Sequence, residues 1–337
     1  MRPRQGRQAV LRRWPIAAIV VVGLGIAAIA TAAPSSIFGG ASAKHPAVRL
    51  RFAGPRISGC EVFPGDNAWN QEILSAPVHP RSSQIIDHIQ AVGDDALHPD
   101  FGENLAYGIP YIVVPPSQPL VPITYTAYGE ESDPGPFPIP LNAPIEGGGS
   151  GGDQHVLVVQ EGSCQLYELF VGRPTGPGPG WLAASGAKFD LSTGALRPIG
   201  WTSADAAGLP ILPGLVRYDE VAAGFIGHAT RVTFSQTQRG FVLPATHFAS
   251  DDPDPTLPAM GMRLRLRSDF DVAALTGQAK VIAAAMQRYG LIVADNGSNW
   301  YFQGAPALGW DDDDLNQLKS IPGTAFEVVD TGPVQTG

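Results

Sequence analysis

The sequence predicts an α+β fold rich in β-structure, with antiparallel sheets arranged as a sandwich or barrel-like stack and a few short helices. Three observations lead there. Forty glycines and 32 prolines in 337 residues interrupt the chain too often for long helices. Residues 111–114, 121–128, 155–160, 165–171, 229–234, 262–267 and 291–294 are rich in β-branched and aromatic side chains, and turn residues bound them. Helical patterns are few, at residues 83–92, 277–289 and 311–319, with a short helix expected to carry Asp219 and Glu220 early and to end near Gly224.

Taken in order, the chain opens with Arg2, Arg4, Arg7, Arg12 and Arg13 and no acid, followed by uncharged residues 15–33. A basic start, an apolar run and the small-residue exit Ala41-Ser42-Ala43 are the parts of a secretory signal. The nineteen-residue apolar run also nearly reaches the roughly 20 residues that span a bilayer. Residues 1–43 are therefore expected to be a signal peptide or an N-terminal membrane anchor, and 15–33 the only membrane contact. Both readings put the remainder outside the cell, secreted or held on the outer face of the cytoplasmic membrane. Residues 44–58, small and Pro/Gly-containing, read as a linker, and 59–332 as a single exported domain.

Within that domain, 83–92 is expected to be a helix closed by Gly93. The alternation in Met262-Arg263-Leu264-Arg265-Leu266-Arg267 places apolar and basic side chains on opposite faces of a strand. In 277–289, Val281, Ile282, Ala285 and Met286 share a stripe that Gly290 ends. Acids at 311–314 suit the N-terminus of a third helix, where the backbone dipole favours negative charge. The regular spacing and glycine of a calcium-binding loop are missing there.

The exported part carries 17 Lys and Arg against 31 acids, a net charge near −14. Nucleic acid is not an expected partner, because binding it requires basic patches that neutralise phosphates. Cys60 and Cys164 are the two cysteines. In an oxidising compartment they are expected to form one disulfide closing a loop of about 105 residues. Neither HExxH nor a P-loop occurs, and GxSxG and GxGxxG are matched only formally inside the glycine run 147–152, which lacks the preceding strand and following helix that both motifs require, so no cofactor is implied.

Chemistry is concentrated in four glycine-rich or turn-like stretches. Glu146, Asp153 and His155 flank a run of glycines that lets backbone approach a ligand. Two carboxylates and an imidazole within ten residues suit acid–base work. The plainer alternative is an Asx turn at Asp153. In the stretch 200–208, Trp201 suits stacking on a sugar face, and Asp205 suits acid chemistry or hydroxyl binding; a buried tryptophan beside a capped turn is the alternative. His228 starts a strand, and His247 follows a proline turn. With His155 they make three histidines, but at spacings that carry no metal-ligand signature, and no metal is expected. Asp295, Asn296 and Trp300 lie in a polar, aromatic turn suited to hydroxyl recognition, although Asp-Asn-Gly is also ordinary turn chemistry.

Cys60-Glu61-Val62-Phe63-Pro64, Asp66-Asn67 with Trp69-Asn70, His98-Pro99-Asp100-Phe101-Gly102, the stretch 201–213 and Asp295-Asn296-Gly297 together resemble a group of uncharacterised secreted bacterial proteins. The resemblance covers about residues 58–330 and implies one domain of similar length, without an activity attached.

The functional expectation is a secreted or surface-anchored carbohydrate-active enzyme, most simply a glycoside hydrolase, acting on polysaccharide or envelope glycan. Such an enzyme needs two carboxyl groups, about 5–5.5 Å apart for retention or about 6.5–9.5 Å for inversion. Glu146 and Asp205 are the expected pair, with Asp153 in reserve and His155 or His228 tuning one of them. Trp201, His247, Asp295, Asn296 and Trp300 are expected to hold substrate. A lyase with a histidine or tyrosine base is the next chemistry. The alternative from another class is a non-catalytic surface protein that binds glycan or a protein partner.

Overall fold

The computed structural model describes residues 55–176 and 178–336. The basic start, the apolar run 15–33 and most of the linker lie outside the described residues. Along the chain the elements are β1 (Arg56–Ile57), β2 (Cys60–Glu61), α1 (Ser82–Ala91), β3 (His98–Asp100), β4 (Tyr111–Val114), β5 (Ile123–Tyr125), β6 (Val156–Gln160) and β7 (Gln165–Phe170). They continue with β8 (Arg173–Pro174), β9 (Trp181–Ala183), β10 (Ser185–Asp190), α2 (Tyr218–Ala222), β11 (Thr230–Phe234), β12 (Arg263–Leu266), α3 (Gly277–Arg288), β13 (Leu291–Asn296), β14 (Tyr301–Gln303), α4 (Asp312–Leu315) and β15 (Phe326–Val329). Because β1 pairs with β2, residues 55–58 belong to the fold rather than to the linker.

The fold is α+β and β-rich, with short helices. Two sheets carry it, one of four strands in the order β10-β7-β6-β4 and one of six in the order β15-β12-β13-β11-β14-β3; a three-stranded sheet β5-β9-β8 lies outside them. The sheets are mixed rather than purely antiparallel. β4 runs parallel to β6, β11 to β13, β14 to β3, and β5 to β9. They close no barrel among the described residues.

The four-stranded sheet is covered on both faces, which follows from the period of two along its strands. Leu157, Val159, Leu166, Ala187 and Phe189 point into the main core, shared with the six-stranded sheet. Their neighbours Val156, Val158, Tyr167 and Leu169 point the other way, into a smaller core with Trp181 and Ala183. A strand buried on both faces reads as a continuous apolar run, and Val156-Leu157-Val158-Val159 is one.

α1 buries Ile85, Ile86 and Ile89 beside β15, and its first turn is tied down where Ser82 Oγ accepts the Val328 N–H at 2.8 Å. α3 buries Ala279, Ile282, Ala283, Ala285 and Met286 and packs on β12. Asp311 caps α4 by accepting the Asp314 N–H at 3.0 Å.

The alternation in β12 holds, with leucines on one face and arginines on the other, and both faces are covered. Arg263 and Arg265 are buried, at 4 % and 8 % exposure. The irregular segment 71–76 crosses that face, and its carbonyl groups lack ladder partners. Arg263 donates to the carbonyls of Gln71 and Tyr289, and Arg265 to those of Ile73, Leu74 and Ala76 and to Glu327. Buried carbonyls need donors, and the two arginines supply them.

Cys60 and Cys164 form a disulfide with a Cα–Cα distance of 5.5 Å. It joins the first hairpin to the turn between β6 and β7, across 104 positions of sequence. Replacing both cysteines by alanine is expected to cost about 2–5 kcal/mol, because the unfolded chain regains the entropy of a long open loop. Urea unfolding would register this as a lower midpoint. An unchanged midpoint would mean that the two segments hold together without the bond.

Candidate functional site

Three chain segments meet at the end of the six-stranded sheet, and a β-bulge brings them there. β11 and β13 pair Val232 with Val293 and then Thr233 with Asp295, so Ala294 is the extra residue. A bulge leaves its backbone without a ladder partner and re-aims the next side chain. The Ala294 carbonyl accepts the Ala207 N–H at 3.0 Å, and the Asp295 carboxylate accepts the Ala206 N–H at 3.3 Å. The segment 200–208 is thereby docked on the strand end. Its fold needs Gly208, whose φ is +72° and whose α-carbon faces Thr246 and the Trp201 carbonyl too closely for a side chain.

Arg231 of β11 lies beneath this junction at 3 % exposure. Its Nε and Nη2 donate to the two carboxylate oxygens of Asp205 at 3.1 and 2.6 Å, and its Nη1 donates to Gln303 Oε1 at 2.6 Å. Asp205 is 1 % exposed. The half-buried Asp295 carboxyl is hydrogen-bonded to Asp205. Burial and the neighbouring Asp205 carboxylate push Asp295 up to about 7, because two like charges this close resist joint ionisation.

The glycine-rich loop supplies the third part. His155, 2 % exposed, holds Glu146 through Nδ1 at 2.7 Å and the Ala204 carbonyl through Nε2 at 3.0 Å. Burial alone would strip the proton from this imidazole, but the bonded Glu146 carboxylate outweighs it and raises His155 to about 9. As an imidazolium it donates from both nitrogens. Burial would raise Glu146 in turn, but the hydrogen bond and charge of His155 hold it below the ordinary carboxylate range. Asp153 sits exposed at the rim, within electrostatic reach of Glu146, His155, Asp295 and Arg231. Between Glu146 and Asp153, Gly147, Gly148, Gly149 and Gly152 adopt positive φ, and Gly147, Gly148 and Gly152 face open space.

His247 and Trp201 border the junction. The Nδ1 of His247 donates to the Ala206 carbonyl at 2.7 Å, and its Nε2 lies 3.9 Å from Glu131. Half-buried Trp201 has the Arg197 guanidinium 5.5 Å from its ring centroid, and Thr246 Oγ1 donates to its carbonyl at 3.0 Å. Asn296, exposed, bonds Thr237 at 3.1 Å.

No known protein family, curated protein or solved structure matches this chain. The chemistry of the site is therefore argued from its own residues.

Glu146, Asp153, His155, Asp205, Asp295, Asn296, Trp201 and His247 all belong to this one junction. Trp300 and His228 do not. Trp300 is fully buried, edge-on to Phe234 at 5.1 Å, and its Nε1 donates to Gln90. Its ring has no face left for a sugar, and its place in an apolar sheet layer explains the tryptophan. His228 is also fully buried, its Nε2 3.0 Å from Glu220 and its Nδ1 on the Ala229 carbonyl, in a separate cluster with Arg217. It tunes Glu220, and nothing ties it to Glu146 or Asp205. Asp205 needs a corrected role: both of its oxygens are taken by Arg231, so it supports Asp295 from below.

Arg231, Gln303 and Glu168 were not singled out by motif. Glu168, fully buried in β7, accepts the N–H groups of Ile211 and Leu212 at 2.9–3.0 Å and so anchors the chain just past the 200–208 segment. Burial pushes it up to about 7 despite those two donors. The signal available in the sequence was a single charge inside each apolar strand, Arg231 between Thr230 and Val232, and Glu168 between Tyr167 and Leu169. Among the described residues no group of three or more His, Cys, Asp or Glu side chains is arranged to hold a metal ion.

Proposed function

We propose that the chain is an exported carbohydrate-active hydrolase acting on polysaccharide or envelope glycan, with Asp295 as general acid and Glu146 as the ionised partner. One observation carries this reading: around a single guanidinium, two half-buried carboxyl groups are shifted in opposite directions, Asp295 up to about 7 and Glu146 below its ordinary value. Environments that push paired carboxyl groups apart are how one site supplies both an acid and a base at neutral pH. Burial and the neighbouring Asp205 raise Asp295 to about 7, so a large share of it carries a proton near neutrality; Glu146 stays charged because His155 is bonded to it. In this assignment the proton on Asp295 passes to the leaving glycosidic oxygen. Glu146 either activates water or attacks the sugar carbon, according to their separation.

Several features favour a sugar substrate. The glycine loop leaves its backbone open to close approach, and Trp201, Asn296 and His247 offer a ring face and hydrogen-bonding groups at the rim. The lyase alternative is weakened by His155, which is protonated to about 9 and so is no base near neutral pH. Export rests on the N-terminal pattern and is supported by the disulfide.

The test is incubation of the purified protein with a panel of bacterial and plant polysaccharides, with and without EDTA, followed by assay for new reducing ends and unsaturated products. New reducing ends that vanish in Glu146→Gln and Asp295→Asn are the expected result. Full turnover in both variants would overturn the assignment. Tight glycan binding without cleavage would favour a non-catalytic surface protein instead.

A further inference from the structure

The carboxyl group of Asp295 does not stand alone. Behind it runs a buried line of polar groups, Gln303 to Arg231 to Asp205 to Asp295, assembled from β14, β11, the 200–208 segment and β13. Gln303 is 5 % exposed and its backbone also serves the fold, its carbonyl accepting the Val216 N–H at 3.1 Å. A guanidinium is a planar fork, and its direction is set only when both of its edges are engaged. One edge of Arg231 clasps Asp205. Its Nη1 has Gln303 Oε1 as the bonded partner on the opposite side.

We infer that Gln303 is a positioning residue of this site: by holding Arg231 Nη1 it fixes the guanidinium against Asp205, and through Asp205 it orients the carboxyl group of Asp295. The inference rests on the reading of Asp295 as the acid. It adds a residue that touches no substrate yet governs the protonation of the one that does.

The charged groups bearing on Asp295 are Asp205 from the 200–208 segment, Arg231 from β11 and Asp153 from the glycine loop. Arg231 favours ionised Asp295, and the two acids oppose it. A carboxylate at position 303 would compete with Asp205 for Arg231 and leave Asp205 less neutralised. The proton on Asp295 would then be held more tightly.

The experiment follows Asp295 directly, by carboxyl-carbon NMR titration of the purified protein, beside the pH profile of turnover. Gln303→Glu is expected to move the Asp295 titration upward by about one pH unit, and the alkaline limb of kcat with it. Gln303→Asn, too short to reach Nη1, is expected to lower kcat about tenfold or more with KM little changed, the mark of a misplaced group rather than lost binding. It also stands in for the first variant, with a smaller upward shift, should Gln303→Glu fail to fold. A titration of Asp295 that is unmoved in a folded variant overturns the inference, whatever the turnover. A moved titration in a protein that cleaves no glycan upholds the positioning role and sinks the hydrolase reading instead.

Discussion

Replacing Asp205 by asparagine is expected to destabilise the domain by about 3–5 kcal/mol, the cost of leaving one member of a buried ion pair without its partner. Arg231 and Asp205 are both almost wholly removed from water, and they meet through two parallel hydrogen bonds. Asparagine has the shape of aspartate but no charge, and its amide presents only one accepting oxygen to two donors. The guanidinium would stay charged, because its proton affinity is too high for burial to neutralise it. Urea unfolding measures the loss as a lower midpoint. A change below about 1 kcal/mol, the size typical of exposed pairs, would mean that water already reaches the site. The double variant Asp205→Leu with Arg231→Met sharpens the test. It removes both charges and should recover much of the lost stability, since a buried pair is often no better than apolar packing of similar volume.

Replacing Asp295 by asparagine is expected to lower kcat by about 10²–10⁴-fold, the usual contribution of a positioned general acid. The same substitution should alter stability with the opposite sign at high pH. Asp295 in the folded chain holds its proton up to about 7, above its ordinary 3.8. The unfolded chain releases that proton earlier. The contribution to stability is therefore complete below the ordinary value and is lost as pH rises through about 7. Asparagine does not titrate, so the variant should lose less stability than the parent between about pH 4 and pH 8.

His155 acts in the same direction in a higher window. Its folded value, about 9, lies above the ordinary 6.5, so its contribution is complete below 6.5 and is lost as pH rises through about 9. Glu146 is held low, and its contribution is present above the ordinary 4.5 and lost as pH falls. Thermal melts of parent and variant across pH 4–9 would separate these windows. Parallel curves for the two proteins would contradict the raised value at Asp295. A variant that is more stable at pH 8 and catalytically dead would fit an acid kept protonated for work at some expense to the fold.

The strands were legible where local pattern agreed with the environment. Residues 111–114 form β4 as read, and 155–160, 165–171 and 229–234 differ from β6, β7 and β11 by one residue at an end. Helix 277–289 ends at Gly290, which takes a positive φ. β1, β2, β3, β8, β9, β10, β14 and β15 were missed. They are short or interrupted by small and charged residues, and their pairing comes from partners far away in sequence. For the same reason the pattern in 262–267 gave the strand and its two faces but not what covers the arginine face: the covering segment 71–76 is nearly 200 positions away.

The site divides along the same line. Residue type alone marked Glu146, Asp153, His155, Asp205 and Asp295 as chemically apt, and the pairing of Cys60 with Cys164 followed from there being two cysteines in the chain. The local pattern also determined β-richness, the principal helices and the acidic balance, because turns, periodicity and charge are properties of neighbouring residues. Which acid carries the proton was a matter for the tertiary structure. Asp205 and Asp295 look equivalent in sequence, each a carboxylate in a small-residue turn. A guanidinium on another strand clasps the first and leaves the second beside it, and a one-residue bulge turns that second carboxyl toward the 200–208 segment. Proton affinity depends on burial and on charges a few ångströms away, and those distances exist only once segments from 26 positions apart, at Asp205 and Arg231, to 90 positions apart, at Asp205 and Asp295, have met.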